Sequence, residues 1–536
     1  MTVAVRRSRR TACHGERKLT KPVTLASDFV YEIGHYGNVS NGAYGAGDEL
    51  RSRDIRVAVI GAGMSGLCMA STLRHRGITN FTVYEKADEV GGTWRDNTYP
   101  GLQCDVPSRY YSYSFAPNPG WSKGFSPGPE IHQYFVRFAD EQGLRRNIRF
   151  GAAVTRAEWV DGAGQPHWEL EISDGSRDTA DVVVSATGVL HLPRLPDIDG
   201  LRTFAGPCFH SARWDHSVQC AGKRVGLIGT GSSGVQIIGA LATEVQSLSV
   251  FQRSAQWVAP VPNFTYSSIS KSMWSRVPIL NRFSYRLWRF YFERGVGGSV
   301  VNPGVRRRLI QGFVRASHRL LIRDRALREK LHPDYEPLCR RLVMSVPFFK
   351  AVQRPNVAVL TDGIERIVPQ GVITNDGVLH ELDILVCATG FDAHSYLRPM
   401  EVIGRAGVKL SEVWSDGPRA YRAVGLAGFP NFFLLIGPNS PIGNNSLISI
   451  AETQVKFAMH WIDEIRYGRV QSVAPTAHAA DAFNAEVRRA MPNTVWSSGC
   501  DSWYLGADGV PELWPWPPVD YRRTLTSPNR EDFAIT

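Results

Sequence analysis

The sequence predicts an α/β fold: two doubly wound parallel-sheet units, one split in sequence and the other inserted into it. Three observations predict it. Glycine-rich turns of the form G-x-G-x-x-G occur twice, each between a β-rich apolar run and a helical pattern. Two further apolar runs end in the same Ala-Thr-Gly, in VVVSATGVLHLP and DILVCATGFDAHSY, and bracket the second of these turns. The length, 536 residues, exceeds what one simple core holds.

The first turn lies in IRVAVIGAGMSGLCMASTL. Ile55 to Ile60 reads as a buried strand, and Leu67, Ala70 and Leu73 recur at helical spacing. Gly61 permits the tight turn, Gly63 lets the backbone approach a pyrophosphate, and Gly66 lets the helix pack on the strand. The following run, FTVYEK, ends at Glu85, where a carboxylate can bind ribose hydroxyls. This is the Rossmann-like pattern of an ADP-ribose site, read here as that of a flavin.

The second turn, in KRVGLIGTGSSGVQIIGAL, repeats the arrangement with Gly229, Gly231, Ser232 and Gly234. Its next strand, SLSVFQRS, ends in Gln252-Arg253-Ser254 rather than in an acid. A carboxylate there would repel a 2′-phosphate, whereas Arg253 with Ser254 would hold one. The second site is therefore read as an NADPH site. The Ala-Thr-Gly ends place chain crossings near Gly188 and Gly390. The expected domains are a basic and polar tail over 1–49, a flavin domain from 50–190 with 385–536, and an NADPH domain over 191–384 with a helical insertion at 265–335.

Composition narrows the class. Hydrophobic residues make up 43% and charged residues 21%, ordinary for a globular protein. No apolar run approaches the ~18 residues that span a bilayer, and no apolar run follows the N-terminal arginines as in a signal peptide. The eight cysteines are scattered, with no C-x-x-C pair and no His cluster at zinc spacing. That pattern predicts reduced thiols in a cytoplasmic protein and no metal. The net charge of +11 is local: between Lys271 and Lys330 stand 15 basic and three acidic side chains, a net of +12. Such a confined excess argues against nucleic acid as partner. In this insertion Leu280, Phe283, Leu287, Phe290 and Tyr291 fall on one side of a helical wheel, opposite Arg282, Arg286 and Arg289. Leu309, Phe313, Ala316, Leu320 and Leu327 form a second stripe. The expectation is two helices that pack inward with solvated arginines and border the substrate opening. The alternative is a patch peripheral at a membrane surface that admits lipophilic substrates.

The stretch FAGPCFHSARWD carries every fixed position of a fingerprint: Phe204, Gly206, His210, Trp214 and Asp215. It resembles that of the Baeyer–Villiger monooxygenase group of flavin-dependent monooxygenases, and the resemblance runs as an ordered series of motifs over roughly residues 55–460. Related N- and S-oxygenases usually carry Tyr where Trp214 stands. In GGTWRDNTYPGLQCD the resemblance implies that Gly92, Thr93 and Trp94 line the flavin, and that Asp105 lies near the flavin ring and the nicotinamide. In YEPLCRRLVMS it implies that Arg341 is the active-site arginine and that Arg340 helps bind the 2′-phosphate; RPNVAVLTDGIERIVPQGV supports that register. NFFLLIGPNSPIGNNS resembles the family's C-terminal flavin-contacting segment, with Asn445 or Ser446 as N-cap of a helix through Trp461.

The resemblance implies that NADPH reduces FAD and that O₂ adds to give a flavin C4a-peroxide. This attacks a hydrophobic ketone or aldehyde and leaves an ester or lactone. Arg341 would hold the anion and Asp105 would orient Arg341. Retained NADP⁺ would shield the intermediate, giving Arg253 and Arg340 a role beyond hydride delivery. His210 is read as structural rather than as an acid or base. N- or S-oxygenation by the same machinery stays open. A flavin disulfide reductase lacks its C-x-x-C here, and a non-catalytic nucleotide sensor would have little use for two intact sites.

Overall fold

A computed structural model describes residues 52–162 and 164–536. The tail expected over 1–49 lies outside the described residues. Two five-stranded sheets, all parallel, organise the chain. The first has the order Phe432–Leu434, Val182–Ser185, Val57–Ile60, Phe81–Tyr84, Ile148–Arg149. The second has the order Val357–Leu360, Ser247–Phe251, Arg224–Ile228, Ile384–Cys387, Cys208–His210. The two glycine turns thus leave different sheets, each from the central strand. The strands are almost continuously apolar because helices cover them and both faces are buried.

The repeated Ala-Thr-Gly has a packing reason. Val182–Ser185 lies beside Val57–Ile60 in the first sheet, and Ile384–Cys387 lies beside Arg224–Ile228 in the second. Each delivers an alanine against the neighbouring glycine turn. A Cβ on Gly61 would stand 2.7 Å from the Ala186 carbonyl oxygen, and one on Gly229 would stand 2.5 Å from that of Ala388. Both glycines have positive φ, +104° and +106°, so only glycine makes the turn without strain. The expected end of the inserted unit at 384 therefore falls short. Strand Ile384–Cys387 belongs to the second sheet, because the chain must return beside Arg224–Ile228 before it crosses back. The C-terminal half joins the first sheet only at Phe432–Leu434.

Helix Leu447–Arg466 packs its apolar side, including Trp461 and Ile462, into the first core. Ser446 is its N-cap residue, yet its side chain makes no capping bond. Asn445 instead accepts from the Ser446 N–H at 2.8 Å and from the Tyr110 hydroxyl at 2.8 Å. The expected N-cap is in place, but its hydrogen bonds belong to its neighbour.

The insertion folds as helices, the longest being Pro278–Phe290 and Val305–Leu321. Its orientation reverses the expectation. The buried positions are Asn281, Ser284, Tyr285 and Arg289 on one helix, and Gln311, Val314, Ser317 and His318 on the other. The apolar stripes face out: Phe283 is 55% exposed, Leu309 67% and Leu320 76%. The reason is that the polar side chains have fixed partners beneath them. Asn281 accepts from Arg109, whose guanidinium lies 3.7 Å from the Trp274 ring centre. Gln311 donates to the Pro337 carbonyl, and the His318 ring nitrogen accepts from the Val258 N–H. Buried polar groups with partners can turn inward; helical period alone does not say which face does. Among the described residues no helix is long and apolar enough to cross a membrane.

Gly66 tests the strand–helix contact. An added Cβ would stand 1.8 Å from the Gly61 carbonyl oxygen, so Gly66→Ala must push the helix off the strand. Overpacking of this kind costs about 1–3 kcal/mol. Thermal unfolding should show a Tm lowered by about 1–3 °C; an unchanged Tm would contradict the packing described.

Candidate active site

A cavity of about 1590 Å³ opens between the two sheets and reaches both glycine turns. A site for one small ligand usually occupies roughly 300–1,000 Å³, so this one has room for more than one. Gly61 and Gly63 form one wall with Glu85, Gly92, Thr93 and Trp94; Gly229, Gly231, Ser232, Arg253 and Ser254 form another. Gly66 and Gly234 sit beneath, where the helices meet the strands.

Both walls present helix N-termini. Helices Met64–His75 and Ser232–Leu241 begin at Gly63 and Gly231, with no side-chain cap and no acid in the first turn. Their first N–H groups lack intrahelical acceptors and favour an anion. A Cβ on Gly231 would meet nothing within 4 Å, and one on Gly63 would meet only the Gly92 backbone. A pyrophosphate fits this cradle. Glu85, at the tip of its strand, is buried and accepts from the Ala62 and Ala87 N–H groups and from Arg95. Burial works against the charge of Arg95, but Glu85 and Asp96 more than offset it and raise its pKa. Sequence reasoning missed Arg95, although it directly follows Gly-Gly-Thr-Trp. Trp94 donates to the Tyr111 hydroxyl at 3.0 Å.

At the second wall Arg253, Ser254 and Arg340 come together. Arg340 donates to the Ser254 hydroxyl at 2.9 Å and lies over the Tyr335 ring. The Arg253 side chain is 89% exposed and pairs at 3.4 Å with Asp501, itself 77% exposed. Asp501 belongs to a C-terminal segment that carries no motif and was not expected here; Ser502, Trp503 and Tyr504 of the same segment also line the cavity.

Arg341 stands where the walls meet. It donates to both carboxylate oxygens of Asp105, through Nη2 at 2.8 Å and through Nε, and to the Ile442 carbonyl at 2.7 Å. Burial opposes its charge, and the Asp105 carboxylate more than offsets this, so the guanidinium is held firmly protonated. Burial first, and then Asp105, push the neighbouring Cys104 thiol up, which keeps it uncharged. Burial likewise pushes the Tyr504 hydroxyl up to about 12. The approach to Arg341 is strained: Leu338 is buried yet has φ +79°, a conformation that non-glycine residues hold only under surrounding constraint.

That constraint includes a covalent bond. Cys339 and Cys500 form a disulfide. The expectation of reduced thiols throughout is thereby corrected; the two residues are 161 apart in sequence, and no spacing rule links them.

None of the five fingerprint residues lines the cavity. Phe204 packs in the second unit's smaller core, against which a Cβ on Gly206 would press. His210 closes edge strand Cys208–His210; its Nδ1 accepts from the Ala212 N–H, and its ring meets Phe391 edge-on at 5.8 Å. Burial lowers its pKa and keeps it neutral. Trp214 packs edge-on against Phe209, and Asp215 accepts from Ser217. The stretch braces the second sheet beside the crossing at Gly390. No residue of 265–335 lines the cavity either.

Two glycine-turn cradles facing one cavity, with a fixed cation between them, define a two-nucleotide oxidoreductase. The chain belongs to the flavin-binding monooxygenase family, and within it to the Baeyer–Villiger group: the flavin-binding monooxygenase-like family model matches residues 54–399. A monooxygenase of Mycobacterium tuberculosis is 50% identical over 479 residues, 89% of this chain and 96% of that protein. A Baeyer–Villiger monooxygenase of Streptomyces coelicolor is 40% identical over 484 residues, 90% of this chain and 92% of that protein. Among solved structures, OTEMO in complex with FAD and NADP superposes with a TM-score of 0.81 at 27% identity, covering 90% of this chain and all of that one.

Arg253→Ala should weaken NADPH far more than NADH, since a hydrogen-bonded charge partner of the 2′-phosphate contributes about 1.5–3 kcal/mol. Steady-state KM values for the two coenzymes measure this; equal losses would remove Arg253 from that role.

Proposed function

We propose that this protein is an FAD- and NADPH-dependent Baeyer–Villiger monooxygenase that inserts one oxygen atom next to the carbonyl of a hydrophobic ketone or aldehyde. The observation that carries the reading is Arg341, clamped by Asp105 on the wall shared by both cradles. FAD is held by the Gly61–Gly66 turn, Glu85 and the Gly92–Trp94 segment. NADPH is held by the Gly229–Gly234 turn, with Arg253, Ser254 and Arg340 on its 2′-phosphate. When bound, the flavin, reduced by the nicotinamide, supplies the activated oxygen.

The chain's own residues do the rest. Oxygen insertion builds negative charge on oxygen. Arg341 meets that charge with a cation that cannot lose its proton. Asp105 fixes the plane of the guanidinium and cancels most of its charge while the site is at rest. The Ile442 carbonyl takes a third N–H, so Arg341 cannot swing away. Cys104 and Tyr504 stay protonated beside it and add no competing anion.

The outward face of the insertion gives the enzyme a place to work. Phe283, Leu287 and Tyr291 on one helix, and Leu309, Phe313 and Leu320 on the other, are exposed among arginines in a segment of net charge +12. Contiguous exposed apolar surface marks an interaction site, and basic amphipathic faces bind anionic lipid. A second copy of the same face would bring like charge onto like charge. We assign this face to the surface of an anionic bilayer, the phase in which lipophilic ketones dissolve.

Arg341→Ala should still bind FAD and consume NADPH with O₂, but should release peroxide and form no ester. Product mass spectrometry over a panel of ketones and sulfides checks this, and ester at the parental rate would show that Arg341 is not the active-site cation. Sulfoxide without ester from the parent enzyme would overturn the Baeyer–Villiger reading itself. In co-sedimentation the parent should pellet with vesicles rich in phosphatidylserine and not with pure phosphatidylcholine, and Phe283→Glu with Phe313→Glu should abolish pelleting without loss of turnover on a soluble ketone. Equal recovery of parent and variant would remove the bilayer assignment.

A further inference from the structure

The Cys339–Cys500 bridge joins two stretches that both reach the cavity. Cys339 directly precedes Arg340, which holds Ser254, and Arg341, which holds Asp105. Cys500 directly precedes Asp501, which pairs with Arg253. One covalent bond therefore ties the Asp501–Tyr504 wall to the two arginines. We propose that this disulfide is a positioning crosslink for dinucleotide binding, and that its thiol–disulfide state sets how well the enzyme holds NADPH. The proposal rests on the reading of the second turn as an NADPH site.

The argument turns on what else holds the segment. From Gly499 to Trp503 no residue lies in a helix or strand. Among the described residues its hydrogen bonding with the rest of the fold consists of the Arg253–Asp501 contact at 3.4 Å, and both partners are largely exposed. An ion pair in that setting contributes little. It is also the contact that the coenzyme would take away. Asp501 and a 2′-phosphate are both anions, and both require Arg253. When the phosphate arrives, the carboxylate must yield, and the segment loses its ion pair as the coenzyme fills the cavity beside it. The disulfide then holds the Asp501–Trp503 stretch at its Cys500 end, while the buried Tyr504, with the Trp503 ring 4.5 Å from its own, holds the other end.

With the bridge intact, the wall is already positioned and binding does not have to order it. With the bridge open, ordering this wall is an added cost of holding the coenzyme. The chemistry needs an external partner. A dithiol such as dithiothreitol delivers two electrons and two protons, breaking the S–S bond to give two thiols while it becomes a cyclic disulfide. Oxidised glutathione reverses the change, taking the same two electrons and two protons and leaving as two molecules of glutathione.

The test uses the full-length holoenzyme. Alkylation after denaturation should find two more thiols in enzyme pretreated with dithiothreitol than in untreated enzyme. The reduced enzyme, Cys500→Ser and Cys339→Ser should each raise the KM for NADPH about tenfold, with kcat within about twofold, a split that marks lost binding rather than lost chemistry. Dithiothreitol should change nothing further in either variant. Should a serine variant fold poorly, the reduced parent carries the test, because oxidised glutathione must restore its original KM. A KM for NADPH that stays within twofold across the oxidised and reduced parent would overturn the proposal, as would persistence of the two additional alkylated thiols after oxidised glutathione. If Arg253→Ala fails to discriminate NADPH from NADH, the reading of the site itself has failed. If that discrimination holds while thiol state has no effect, this proposal alone has failed.

Discussion

A guanidinium fixed between a carboxylate and a carbonyl is the constraint around which the rest is arranged. Arg341 and Asp105 are 236 residues apart, and Ile442 lies 101 residues further on. A charge can be taken out of water only where partners wait for it, and here the cation and its two partners come from three separate stretches of chain. Each sheet contributes part of the setting. The first brings the loop that carries Asp105, the second brings the segment that carries Arg341, and the chain's return to the first sheet supplies Ile442. The cation is therefore correctly placed only when both units are folded and docked.

The two units solve the same problem in the same way. In each, a central strand ends in a left-handed glycine, a second strand delivers an alanine carbonyl against it, and a helix starts with free N–H groups at the cavity. The repeated Ala-Thr-Gly is the second strand's share in that contact. The units differ at one point, the tip of the next strand. Glu85 stands at one tip, buried and held by three hydrogen bonds. Arg253 stands at the other, exposed and loosely paired. In the proposed function that difference separates a ribose-binding site from a phosphate-binding one within a nearly symmetric frame.

What could be read from the sequence follows from how local the determinants are. The turns, Glu85, Arg253 and the N-cap region of the C-terminal helix are each set by residues within a few positions of one another. The Arg341–Asp105 pair was reachable only through resemblance, since nothing in either motif points to the other. Cys339 and Cys500 were misread because a bond between distant residues leaves no trace in spacing. The insertion was misread for another reason. Its helical period was correct, but the partners that turn its polar face inward are Arg109, Val258 and Pro337, none of which lies within the helices concerned. The boundary at 384 cuts off strand Ile384–Cys387, whose Ala-Thr-Gly is the partner of the second glycine turn.

The inverted helices have one more consequence. Their hold on the body comes from the inner side, through those hydrogen bonds and through Tyr285, Phe292 and Val314 in the first core, so the most exposed outward residues bear little of it. Substitutions at such positions usually change stability by no more than about 0.5 kcal/mol. Stability alone therefore leaves this face free to drift. It can gain or shed grease and charge, and so change the protein's address in the cell, while the chemistry some distance beneath it is inherited intact.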